Sequence, residues 1–279
     1  MRPQLGCVLP DLTDPDEIRV FAEAAEDLGY DYLTVPEHLL STSPSYESLT
    51  LTGFLSAVTT NLGLCAVTVL PLRSAALAAK QAAQVNLLSN GRLRLLAVAG
   101  WNTAETIASG TDPATRGRLM EHQIEAMRLL WTGTEVRYDS DHITLRGVRL
   151  SPPPPHPIPV WLGGGSARSL GRPPPHVLRR AAGLADGFTM SAVLGTGVSR
   201  GAELIADLLT EVDRAGRDRE TFGVEARLAT TTARANTWAA TAKRWHDAGA
   251  THLTVSSRIA PTDVSAALAL LTAAAEALA

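Results

Sequence analysis

The chain has 279 residues, 45% of them hydrophobic, and its 25 basic side chains nearly balance 28 acidic ones for a formal charge of −3. That length supports one large buried core, and the near-neutral balance excludes a nucleic-acid binder. No run approaches the roughly 18 consecutive apolar residues of a membrane span, and the stretch from Met1 to Pro10 lacks the basic start and apolar segment of a signal peptide, so a soluble, cytoplasmic protein with no membrane partner is expected.

Residues 5–9 are a short apolar run closed by Pro10, and residues 15–28 carry apolar side chains at helical spacing up to Gly29, which predicts a strand and then a helix. The same alternation recurs as 32–35 then 48–60, 62–69 then 75–88, and 93–99 then 117–131. Residues 133–159 form the longest irregular stretch; 135–138 and 142–145 within it predict a small hairpin, and the Pro152 to Pro155 run predicts a stiff surface excursion. Four further strands, 160–162, 187–190, 222–229 and 253–255, each precede a helical pattern, the last being 263–278, while Pro173 to Pro175 interrupts the start of the fifth helix. Eight such units predict one (β/α)8 barrel spanning residues 1–279. An open doubly wound sheet accommodates the same alternation, but it rarely needs eight units, and no G-x-G-x-x-G follows the first strand. Cys7 and Cys65 lie inside apolar strands and read as small hydrophobes.

A parallel barrel assembles its site at the C-terminal ends of its strands, so the exits carry the chemistry. The second strand ends in Val35-Pro36-Glu37-His38, where an imidazole titrating near neutrality can exchange a proton with a substrate or bond a cofactor ring; a histidine satisfied within its loop is the plainer alternative. The third exit passes through small residues before Pro71. At the fourth, Gly100 followed by Trp101 suits a ring-binding wall or simple packing. At the fifth, Gly163, Gly164, Gly165 and Ser166 expose N–H groups and a hydroxyl suited to phosphate, with Arg168 and Arg172 adding charge; a plain turn is the alternative. Ser256-Ser257-Arg258 at the eighth exit is a rival phosphate site. His122 and His246 on helices, and His142, His156 and His176 in loops, lack metal-ligand spacing, and no metal is expected.

Together these segments resemble the luciferase-like monooxygenase superfamily, and in particular its coenzyme F420-dependent branch. The resemblance covers nearly the whole chain: residues 28–38, 70–73, 79–83, 88–92, Gly100-Trp101-Asn102, 129–133, 148–152, 159–165 and 185–187. It implies a flavin or deazaflavin at the barrel mouth, with F420 as the cofactor and FMN, used as FMNH2 with oxygen, as the alternative. A non-catalytic flavin-binding relative is a third reading. It further implies that Ala66–Val67 is a non-prolyl cis peptide which, with Thr68 and Gly100, supports the ring. By the same resemblance Gly164, Gly165 and Ser166 bind the cofactor phosphate, His38 faces the reacting carbon with Trp101 beside it, and the protein is a homodimer acting on a small molecule. Arg73, Arg168 and Arg172 are candidates for a basic exit for the deazaflavin's oligoglutamate tail. Two departures argue against sugar phosphate oxidation: Trp101 stands where the sugar phosphate dehydrogenases carry a glutamate, and Leu39-Leu40-Ser41-Thr42 follows His38 where they carry an aromatic residue. The insertion from Gly171 to His176 has no family counterpart.

Overall fold

The computed structural model describes residues 2–41, 44–164, 172–190, 197–230, 232–257 and 263–278. In chain order the elements are β1 (Gln4–Val8), α1 (Pro15–Asp27), β2 (Tyr32–Val35), α2 (Ser48–Val58), β3 (Gly63–Val69), α3 (Ala75–Leu88), β4 (Leu93–Val98), α4 (Thr103–Ala108) and α5 (Arg116–Trp131). There follow β5 (Val136–Asp139), β6 (Thr144–Val148), β7 (Val160–Gly163), α6 (Pro175–Leu184), β8 (Gly187–Thr189), α7 (Gly197–Arg214), β9 (Gly223–Thr230), α8 (Trp238–Asp247), β10 (His252–Ser257) and α9 (Val264–Leu278). Strands β1, β2, β3, β4, β7, β8, β9 and β10 pair in that order, all parallel, and β10 closes on β1; β5 and β6 form the separate antiparallel hairpin. This is the eight-stranded barrel that the alternation predicts.

Local chemistry sets the helix starts. The Asp14 side chain accepts the Asp16 N–H at 2.8 Å, and Pro15 opens α1. Pro173 to Pro175, expected to interrupt the fifth helix, instead begin it: Pro174 caps α6 and Pro175 is its first residue, where a ring-fixed φ and a missing N–H cost nothing. Helix α4, too short to betray itself by periodicity, is capped by Asn102, whose side chain accepts the Ala104 N–H at 3.0 Å.

Strand alternation divides the interior into two layers. Leu33, Val35, Leu64, Ala66, Leu95, Ala97, Leu162, Phe188, Val224 and Leu253 join the core between barrel and helices, whereas Tyr32, Cys65, Leu96 and Trp161 pack inside the lumen with Val67 and Val98 against them. The Tyr32 and Trp161 rings need room that only glycine leaves. A Cβ would lie 2.2 Å from Tyr32 at Gly6, and 2.4 and 2.1 Å from Trp161 at Gly187 and Gly223. The Arg94 guanidinium sits 4.2 and 4.3 Å from the two ring centroids and donates to Glu225 at 2.9 Å. The His252 ring lies 4.7 Å from that of Trp161, and burial, with Arg94's charge adding, pushes its imidazole down to about 3. Burial also pushes both thiols up, which fits Cys7 and Cys65 as packing residues. Among the described residues no helix is long and apolar enough to cross a membrane.

Candidate active site

Pro36 ends β2, and the next two residues part company. The Glu37 side chain is fully buried and accepts hydrogen bonds from Val69 N (2.6 Å), Ser48 N and Oγ (3.1 Å each) and Arg73 Nη2 (2.7 Å). It thereby ties the exits of β2 and β3 to the first turn of α2. Arg73 is itself buried and donates to Glu47 at 2.8 Å. Two carboxylates therefore neutralise it inside the wall, and the expectation that Arg73 contributes to an open basic exit is corrected.

His38 turns the other way. Its N–H donates to Ser45 Oγ at 2.9 Å, its side chain is about one-third exposed, and Nδ1 lies 3.5 Å from Glu105 Oε1. Glu105 comes from α4; its side chain is 3% exposed, and it accepts the Leu40 N–H at 2.9 Å. Trp101, 75% exposed, meets the His38 ring edge-on with centroids 5.6 Å apart. The exits of β2 and β4 thus bring His38 and Trp101 together and add Glu105. The sequence reading places a family acid directly after the strand-four glycine; a carboxylate does arrive, four residues beyond Trp101, on a helix whose only sequence trace is its Asn102 cap.

Gly100 has φ +80°, and a Cβ there would lie 2.8 Å from Val69 Cγ1, so the exit of β4 requires glycine. At β3 the expectation of a cis Ala66–Val67 bond is corrected. Among the described residues the cis peptide is Ser151–Pro152, and β3 keeps unbroken register with β4 from Leu64 to Val69, which leaves that step in regular extended form. The three side chains also divide. Ala66 packs into the helix layer, and Thr68 Oγ1 lies 3.1 Å from Ser48 Oγ, while Val67 faces the lumen.

Gly164 follows β7 with its N–H on Thr189 O at 3.4 Å, and a Cβ there would meet Phe188 and Val177 at 2.9 Å. Gly165, Ser166 and Arg168 of the proposed phosphate loop lie outside the described residues, as do Gly171 of the insertion and Arg258 of the rival site. Arg172 pairs with Asp207 on α7.

A flat, polar heterocycle fits the described part of this mouth. Val67 and Val98 offer apolar wall, and below it Glu225 Oε1 and Arg227 Nε, both on the inner face, are buried without a hydrogen-bond partner among the described residues. Unmade bonds of this kind are costly in a dry interior and are met by a ligand or water.

A profile described as luciferase-like monooxygenase matches residues 4–276. A Mycobacterium tuberculosis protein described as uncharacterized is 35% identical over 113 residues, 40% of this chain and 40% of that one. The FMNH(2)-dependent dimethylsulfone monooxygenase of Pseudomonas putida is 30% identical over 163 residues, 56% of this chain and 45% of the relative. The chain thus spans about half the length of the curated relatives it matches. Among solved structures, an F420-dependent secondary alcohol dehydrogenase in complex with an F420-acetone adduct aligns over 100% of both chains with a TM-score of 0.77 at 16% identity, a likeness of fold.

Proposed function

Because the chain belongs to the luciferase-like monooxygenase family, we propose that it is a deazaflavin-dependent oxidoreductase that uses coenzyme F420 to reduce, or to oxidise, a small organic molecule at the C-terminal mouth of the barrel. The reading is carried by His38, held beside the buried carboxylate of Glu105 at an exit where its ring remains accessible. Hydride transfer to an enone, imine or carbonyl needs a proton partner next to the reacting carbon, and His38 is the titratable group placed to be one.

When bound, the cofactor supplies a hydride carrier. Everything else is the work of this chain. The ring would be held by Val67 and the backbone of Ala66 and Thr68 on one side and by Gly100 on another, and the cofactor phosphate by Gly164, Gly165, Ser166 and Arg168. Glu105 holds a proton on Nδ1 of His38, so that Nε2 takes the proton of an alcohol in one direction and returns it in the other. Trp101 and the valine wall orient the reactants and exclude water.

One observation favours a second reading. Arg73 is neutralised within the wall, which removes one of three cations suggested for an oligoglutamate tail and favours FMNH2 with oxygen. Titrating the purified protein with F420 and with FMN separates the two. Micromolar affinity for F420 with none for FMN is the expected result, and the reverse retires the first reading.

A further inference from the structure

Strand β9 is the longest of the barrel, and its inward positions are Glu225, Arg227 and Ala229, since Val224, Ala226 and Leu228 face the helices. Glu225 is fully buried and engaged by Arg94. One step nearer the mouth, Arg227 is half-buried and has no hydrogen-bond or ion-pair partner among the described residues, and its Nε is sealed from solvent with its bond unmade. Thr254, its neighbour by register on β10, is instead bonded to Tyr32, whose hydroxyl is 2.7 Å from Thr254 Oγ1.

A charge count inside the lumen sharpens the point. Arg94 and Glu225 cancel, and His252, pushed down to about 3 by burial and then by Arg94, is neutral. Among the described residues Arg227 is left as one uncompensated positive charge. A guanidinium whose Nε is sealed from solvent with its bond unmade is unfavourable, and its planar fork matches an oxyanion. Above Arg227 the wall is apolar, with Val67, Val98 and Ala229 half-buried.

We propose that Arg227 anchors a substrate subsite for an organic anion, whose carboxylate or sulfonate enters the lumen head first while its apolar body lies toward Val67 and Val98. The assignment of this ligand as substrate rests on the oxidoreductase reading above; the binding itself does not.

The test is calorimetric titration of the cofactor-free protein with hexanoate, hexanesulfonate and the neutral hexanamide. At least one anion is expected to bind about tenfold or more tightly than the amide, and the two anions decide between planar and tetrahedral headgroups. Arg227→Met should abolish that preference and leave amide binding unchanged, and Arg227→Lys should retain part of it. No preference in the unaltered chain overturns the proposal, and that comparison holds even if a variant fails to fold. Equal anion binding by a folded Arg227→Met chain also overturns it. So does a variant that loses F420 or FMN affinity and keeps its anion preference, because Arg227 would then serve the cofactor. Failure of the unaltered chain to bind either cofactor would sink the oxidoreductase reading while the anion titration stands on its own result.

Discussion

The floor of the barrel and its mouth use the same kinds of side chain differently. At the floor, Arg94 is enclosed by the Tyr32 and Trp161 rings, pairs with Glu225, and has His252 kept neutral beside it. At the mouth, Glu37 and Arg73 are locked in the same way, but His38 and Trp101 keep exposed edges, and Arg227 has an unmade bond. Ion pairs and ring contacts in the lower lumen hold the fold, and groups with exposed edges or unmade bonds nearer the mouth are available for chemistry, a division expected of parallel barrels.

Four measurements break or sharpen this contrast. Arg94→Met should cost most, because it strands the Glu225 carboxylate in the floor: urea denaturation should show a loss of about 3–5 kcal/mol, with cofactor affinity per folded molecule unchanged. His38→Ala should do the opposite, lowering turnover by about 10²-fold or more while shifting stability by less than about 0.5 kcal/mol. Unchanged turnover would remove His38 from the mechanism, and an unaltered chain that binds cofactor without turnover would favour the non-catalytic reading. Gly223→Ala drives a methyl group into Trp161 and should cost about 1–3 kcal/mol in the same denaturation assay.

The effect of pH is the most gradual, spread over several units. His252 titrates near 3 in the fold and near 6.5 when unfolded, so the unfolded chain binds the proton first as the pH falls. Stability is whole above about pH 6.5 and declines from there toward about pH 3 by about 1.4 kcal/mol per pH unit. His252→Asn should flatten that limb of the curve, and an unchanged slope would show that other groups set it.

Local spacing in the sequence was enough to locate every barrel strand and to place α3 at Ala75–Leu88, because apolar runs and helical periodicity are properties of neighbouring residues. It was enough, too, to single out the exits at His38, Gly100 and Gly164. Which way each strand residue points was hidden: strands covered on both faces read as continuous apolar runs without alternation, so Ala66, Val67 and Thr68 looked alike until β3 was paired with its neighbours. Glu105 beside His38, Arg73 between two glutamates, the neutral His252 and the unpaired Arg227 are relations between residues far apart in the chain. They exist only once the barrel closes, since closure alone brings eight distant strand ends around one lumen and determines which charges find partners there.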